Sequence, residues 1–442
     1  MKKYLSINSL IPSFNKKLNI PGDKSLSIRW ILLASKALGK SRVFNLLESE
    51  DVMNAIISMR KLGVKIIKKE KYYEVNGVGL NGFEHKDNII INAGNSGTFA
   101  RLLCGALAGD VKNVKIVGDN SLSKRDFSRV VKPLKLFGMN IKTRRDKLPV
   151  VVKGSKYLRP IYYKEEKGSA QVKSAILLAS LSVPGQTVIK SKPSRTHTEI
   201  MMKNCLKIPI KLKKNKSFDI IKINGQQHFK GFDYEIPSDI SSAAFFIVLT
   251  ILANKSRLMI KNVNFNKSRV GIFEILKKMK AKIKVSNLRN YRGERLADIL
   301  VKSSKNLKGI KCPRSLNTKS IDEFLIIFLA CAKAKGVSEF TGIKELRQKE
   351  SDRLKIAAKF LKCIGIKVDE KFDSLKIYGN PDISLKKTII VKNFLKDHRV
   401  FMMSCVAALT LGGSFKIYDK SSINSSFPNF LVLLKKLGAK IK

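Results

Sequence analysis

Six times along this 442-residue chain an amphipathic helical stretch runs into a Leu-Gly-like step and then a short strand-like segment. The phrase reads MRKLGVKI (59–66), LKLFGMNI (134–141), KNCLKIPI (203–210), LKKMKAKI (276–283), LKCIGIKV (361–368) and LKKLGAKI (434–441). Its marker position falls at 63, 138, 207, 280, 365 and 438, about 69 to 85 residues apart. Self-similarity at such a period means repeated supersecondary units, here six α/β units. The chain also exceeds the size at which one core usually keeps growing, so two domains are expected. Gly fits the helix C-cap at four of the markers, while Lys207 and Lys280 depart from it.

A second phrase precedes each marker. Small or polar residues lead straight into apolar helices at GDKSLSIRWILLA (22–34), GNSGTFARLLCGAL (94–107), GSAQVKSAILLAS (168–180), PSDISSAAFFIVL (237–249), SIDEFLIIFLACA (320–332) and DHRVFMMSCVAAL (397–409). Helix starts carry unpaired N–H groups and a partial positive charge, which suit an anion. An ordinary capped helix start has the same outline. The side chains on these lips distinguish the two readings. Lys24, Arg29, Asn95, Arg101, Ser169, Gln171, Asp322 and Arg399 are joined by Arg125, Arg195 and the cluster KESDR at 349–353. Several Arg and Lys at helix entrances suit phosphate and carboxylate, which Arg can grip with two parallel bonds. The expected counterpart is an anionic substrate.

Composition narrows the alternatives. The formal net charge of +53 invites a nucleic-acid reading. Yet Lys is spread along the whole chain beside Ile and Asn, with only short runs such as KLKKNK (211–216), as a Lys-, Ile- and Asn-rich codon bias produces. Aromatic residues are not interleaved with the cations as stacking platforms require. No nucleic-acid partner is therefore expected. Cysteines 104, 205, 312, 331, 363 and 405 show no metal-ligand spacing and read as reduced core residues of a cytoplasmic protein. No metal or cofactor is expected. The apolar stretches FFIVLTILA and FLIIFLACA are too short to span a bilayer, so no membrane association is expected either.

Nine segments, PGDKSLSIR, GNSGTFAR, GDNSLSKR, GSAQVKSA, RTHTE, IDEF, LRQKESDRL, DHR and SFPNF, resemble in order those of the 5-enolpyruvylshikimate-3-phosphate synthases, and RTHTE with IDEF is similar to the second sequence class of that family. The resemblance implies a two-domain α/β enolpyruvyl transferase fold of six βαβαββ units, three per domain. The expected domains are 22–236, and 1–21 with 237–442. It also implies a reaction: the enolpyruvyl group of phosphoenolpyruvate passes to the 5-hydroxyl of shikimate 3-phosphate and phosphate is released. The expected enzyme is a monomer with these two small-molecule substrates, and its domains must close for catalysis.

By the same resemblance, Lys24 and Arg125 hold the phosphoenolpyruvate phosphate, and Arg353 and Arg399 its carboxylate. Asn95, Gly97 and Thr98, with Gln171, shape that pocket. On the shikimate 3-phosphate side, Ser25 and Arg29 meet the carboxylate. Ser169, Ala170, Gln171 and Arg195 meet the ring or the 3-phosphate, with Lys24, Asp322 and Lys349 adjoining. Asp322, with Lys349, takes the hydroxyl proton, and Glu350, alongside Lys24, protonates the methylene carbon. Taken without the resemblance, Asp322 and Glu350 are acids of the kind many helix starts carry.

Three positions depart from the family pattern. Ala170 replaces a second Ser and removes one hydroxyl, Asp126 follows Arg125 in place of Pro, and Ser425 stands where many members have Lys. The sister enzymes that use UDP-N-acetylglucosamine carry a loop Cys where this chain has Asn120, and 118–128 contains no Cys. Gly97, facing the phosphoenolpyruvate pocket, implies sensitivity to glyphosate.

Overall fold

The computed structural model describes residues 4–215 and 217–442; Met1–Lys3 and Lys216, the last residue of the KLKKNK run, lie outside the described residues. Each of the six sequence markers sits in left-handed backbone. Gly63, Gly138, Gly365 and Gly438 have φ of 86°, 99°, 87° and 99°, and Lys207 and Lys280 adopt the same turn with φ of 58° and 68°. They stop the helices Glu50–Lys61, Ser128–Leu136, His197–Asn204, Gly271–Lys278, Arg353–Cys363 and Phe430–Lys436. The two lysines thus keep the geometry of the repeat at a steric cost that Gly would not incur.

The six apolar stretches form the helices Lys24–Ser35, Gly97–Ala106, Ala170–Ser180, Ile240–Leu252, Phe324–Ala332 and His398–Leu411. Nearly every residue in them is buried, as a helix apolar on all sides requires. None is long and apolar enough to cross a membrane, and the same holds for every described helix.

The chain divides into two compact units: Gly22–Pro237 with Asn290–Glu294, and the segment up to Pro21 with Ser238–Arg289 and Arg295–Lys442. In the first, three four-stranded mixed sheets share one order. Ile89–Asn92 pairs parallel with Asn113–Val117, which pairs antiparallel with Lys147–Lys153, which in turn pairs with Asn140–Arg144. Tyr162–Glu165, Gln186–Ser191, Asp219–Asn224 and Ile210–Lys213 repeat it. In the remaining sheet the parallel strand is Tyr234–Glu235, from the far end of the segment, beside Leu38–Phe44.

The second unit also has three sheets, and its first strands come from the N-terminus. Asn15–Leu18 pairs parallel with Arg257–Asn264, and Tyr4–Ile7 pairs antiparallel with Gly412–Tyr418. Two of its sheets have three strands rather than four. In one, isolated bridges Lys308 to Lys335 and Lys311 to Glu339 take the place of a parallel strand. The expected strand after Gly438 is not formed; Lys442 instead exchanges two backbone hydrogen bonds with Ser6, at 2.8 and 3.0 Å. Each unit has its own apolar core. Four cysteines are buried in these cores, but Cys205 is half-buried and Cys363 exposed, since Cys363 lies on the outer side of an amphipathic helix.

Candidate active site

Five of the six polar helix starts are capped by a side chain, the Phe324–Ala332 helix being the exception. Asp23, Ser96 and Ser169 accept hydrogen bonds from the backbone N–H groups of Leu26, Phe99 and Val172 at 2.9, 3.2 and 3.3 Å. Caps satisfy part of the donor set, and the cations supply the rest of the positive field. Lys24, first residue of its helix, reaches Asp51 at 3.0 Å. Arg29, one turn later, is 4 % exposed. Its Nε donates to Thr198 Oγ1 at 2.8 Å, Nη2 to Ser174 Oγ at 3.2 Å and Nη1 to the Ser25 carbonyl at 2.9 Å. Thr198 lies within RTHTE, so this motif both carries Arg195 and orients Arg29.

The GNSGTFAR helix start brings together four residues expected to act on one anion. Arg125 Nη2 donates to Asn95 Oδ1 at 3.2 Å, and Gln171 Nε2 donates to Thr98 Oγ1 at 3.1 Å. Arg101, one of the lip cations but given no role by the resemblance, braces this cluster. Its Nη1 donates to Gln171 Oε1 at 2.6 Å and Nη2 to the Asp126 carbonyl at 2.9 Å, with its guanidinium 5.1 Å from the Phe127 ring centre. Burial, then repulsion from Arg125 and Arg129, pulls the Arg101 guanidinium down to about 10, with Asp126 opposing. Gly97 is the floor of this cluster. A Cβ there would lie 2.9 Å from Arg125 Nη1 and 3.3 Å from Arg101 Nη1. Asp126, the replacement for Pro, keeps the loop ordered: its carboxylate accepts from the Ser128 N–H at 2.7 Å and lies 3.6 Å from Arg129. Ala170 is the first residue of its helix and Ser169 the cap.

In the other unit the acids and bases form a chain. Lys349 Nζ lies 3.8 Å from Asp322 Oδ1 and 3.2 Å from Glu345. Arg353 Nη1 lies 3.6 Å from Asp322 Oδ1, and Nη2 lies 2.5 Å from Glu350 Oε2. Arg399 Nη1 donates to the Asp322 carbonyl at 2.6 Å. Behind them stands Asp397, which sequence reading passed over although it lies in the DHR motif. It accepts from Arg353 Nε at 2.9 Å, Arg353 Nη2 at 3.2 Å, Ser351 Oγ at 2.9 Å and the Arg399 N–H at 3.0 Å. Burial acts to lower the Arg353 value, but Asp397, Glu350 and Asp322 outweigh it and hold the guanidinium well above the ordinary arginine range. Burial acts to raise Asp397, yet it stays below the usual carboxylate range because Arg353 outweighs burial. Ser425 ends a 3-10 helix; its hydroxyl donates to the Ser422 carbonyl at 2.9 Å and lies 3.5 Å from His398 Nδ1.

Such an arrangement can bind anions at one cluster and move protons at the other. Residues 11–434 match the sequence profile described as EPSP synthase (3-phosphoshikimate 1-carboxyvinyltransferase). The 3-phosphoshikimate 1-carboxyvinyltransferase of Ruthia magnifica subsp. Calyptogena magnifica is 41% identical over 425 residues, 96% of this chain and 95% of the relative. That of Zymomonas mobilis subsp. mobilis is 40% identical over 437 residues, 98% and 96% of the two chains. Among solved structures, an EPSP synthase from Acinetobacter baumannii is similar with a TM-score of 0.86 and 36% identity, covering 100% of this chain and 99% of that one.

Proposed function

The chain belongs to the EPSP synthase (3-phosphoshikimate 1-carboxyvinyltransferase) family, and from that premise we propose how its residues carry the transfer of the enolpyruvyl group of phosphoenolpyruvate to the 5-hydroxyl of shikimate 3-phosphate. Lys24 and Arg125 take the phosphoenolpyruvate phosphate, with Asn95, Gly97, Thr98 and Gln171 shaping the pocket and Arg101 bracing it. Arg353 and Arg399 take its carboxylate. Ser25 and Arg29 receive the shikimate carboxylate, and Ser169 and Arg195, beside Ala170, the ring and 3-phosphate.

Asp322, with Lys349, removes the 5-hydroxyl proton as the oxygen attacks the enol carbon. Glu350 gives a proton to the methylene carbon, and a tetrahedral intermediate forms. Loss of phosphate, with a proton passing from the new methyl group back to the Glu350 carboxylate, regenerates the carbon–carbon double bond. The observation that carries this assignment is the 2.5 Å ion pair of Glu350 with Arg353, whose side chain is 2 % exposed. A substrate carboxylate that reaches Arg353 competes for that contact and places a second negative charge beside Glu350. Both effects favour the protonated acid that the carbon requires.

The six cysteines, none of them in a disulfide, support a cytoplasmic setting; a monomer acting on two small anions, with no nucleic-acid partner, completes the proposal. The deciding experiment is a phosphate-release assay with the purified chain. Release is expected only when phosphoenolpyruvate and shikimate 3-phosphate are both present, without added metal or cofactor. Turnover with UDP-N-acetylglucosamine in place of shikimate 3-phosphate would overturn the substrate assignment.

A further inference from the structure

The strands Lys282–Tyr291 and Glu294–Lys302 form the longest hairpin among the described residues, and their sheet belongs to the second unit. The tip, Asn290–Glu294, belongs to the other unit. Arg292 and Gly293 both have positive φ, 49° and 86°, as a tight two-residue turn demands. The tip is fitted against the His197–Asn204 helix. A Cβ on Gly293 would run into Asn204 Nδ2, and the Tyr291 hydroxyl accepts from the Glu235 N–H at 2.9 Å. Tyr291 and Tyr234 rings lie 5.4 Å apart.

At the base of the tip, Glu294 Oε1 lies 2.6 Å from His197 Nδ1, and the two side chains are 1 % and 0 % exposed. His197 opens the helix that follows Arg195 and supplies Thr198, the residue that holds Arg29 Nε at 2.8 Å. On the same turn, Lys173 and Glu199 form a second buried pair at 2.7 Å. A buried side-chain hydrogen bond is directional, so its main effect is on orientation rather than on net stability.

We propose that His197 and Glu294 are positioning residues: through their bond the hairpin tip fixes the start of the His197–Asn204 helix, and so sets Arg195 and Arg29 for shikimate 3-phosphate. The proposal rests on the assignment of those two arginines to that substrate. Glu294 touches no substrate in this account; it acts through His197 and Thr198.

Calorimetric titration with shikimate 3-phosphate, beside steady-state kinetics and thermal unfolding, tests it. Glu294→Ala is expected to raise the Kd for shikimate 3-phosphate about tenfold or more, with the KM for phosphoenolpyruvate at saturating co-substrate changed less than about threefold. The apolar pair His197→Phe/Glu294→Met keeps about the same volume and avoids leaving one polar partner buried alone, so it is expected to fold even where the single variant does not. It too is expected to weaken shikimate 3-phosphate at least fivefold while its melting temperature is maintained. A folded variant with unchanged Kd overturns the proposal, as does an equal loss of affinity for both substrates. Arg29→Lys and Arg195→Lys serve as the reference. If they weaken shikimate 3-phosphate and the Glu294 variants do not, only the positioning role fails; if neither arginine matters, the site assignment fails and the positioning role with it.

Discussion

Arg353 Nε and Nη2 grip the two oxygens of Asp397 at 2.9 and 3.2 Å, with the side chains 2 % and 0 % exposed. Removing one member of such a pair leaves the other charged and buried. Asp397→Ala also removes the cap from the His398–Leu411 helix. The expected loss is about 3 kcal/mol or more, measured by chemical denaturation. Because the folded carboxyl sits below its ordinary value of 3.8, its contribution is fully present above about pH 4 and disappears as the pH falls through the depressed folded value. The wild-type minus variant difference is therefore expected to be flat above pH 5 and to shrink only in acid.

Asp322→Asn and Glu350→Gln are each expected to lower kcat about a hundredfold or more, as loss of a positioned acid or base commonly does. Circular dichroism checks that the variants are folded. Near-native turnover in either variant rejects the role given to that residue.

Gly97→Ala places a methyl group 2.9 Å from Arg125 Nη1, the far end of a flexible side chain, at a position whose φ is not positive. The fold therefore accommodates it with a small shift of Arg125. Glyphosate, longer than phosphoenolpyruvate, is expected to need the space over Gly97 more than the substrate does. The wild type is expected to be inhibited competitively with phosphoenolpyruvate, and the variant to show a larger fold increase in the inhibition constant than in the KM. Equal increases in steady-state kinetics, or an insensitive wild type, reject the pocket argument.

Lys36 is 1 % exposed, donates to the Leu80 carbonyl and lies 5.0 Å from the Phe83 ring centre. Burial brings its amine down to about 7, with Asp110 opposing. An amine whose folded value lies below its unfolded value of 10.5 costs most stability below pH 7, where it is charged in both states. That cost is relieved as the pH rises from about 7 to 10.5, because there the unfolded chain binds the extra proton. The stability difference between Lys36→Met and wild type is expected to favour the variant most near pH 6.5 and to narrow by pH 9.5. Urea melts at the two values measure it.

Lys207 and Lys280 are exposed and hold φ of 58° and 68°, where a β-carbon costs about 1 to 2 kcal/mol. Lys207→Gly and Lys280→Gly are each expected to stabilise the protein by about 0.5 to 1 kcal/mol after the greater freedom of glycine in the unfolded chain is subtracted. Loss of stability in both variants counts against the repeat turn as the reason for the marker.

Local chemistry is what the sequence carries by itself. The six-fold marker, the all-apolar helices and the cation-bearing lips were legible because each depends on neighbours within about a turn. The left-handed turn needs Gly, or a residue that tolerates the strain; a helix apolar all round must be buried; a polar residue before it caps it. The order of the motifs also identified the family. Only the tertiary structure decided what is paired across the chain. Arg29 meets Thr198 across 169 positions, Arg353 meets Asp397 across 44, and Lys24 meets Asp51 across 27. Asn15–Leu18 lies beside Arg257–Asn264, while Tyr234–Glu235 turns back to Leu38–Phe44. Hydrogen bonds of this kind are satisfied by whichever groups packing brings within 3 Å, and no periodicity along the chain encodes that distance. Asp397 shows the consequence: in sequence it is one more helix cap, and only beside the buried Arg353 does it become the counter-ion that holds the site together.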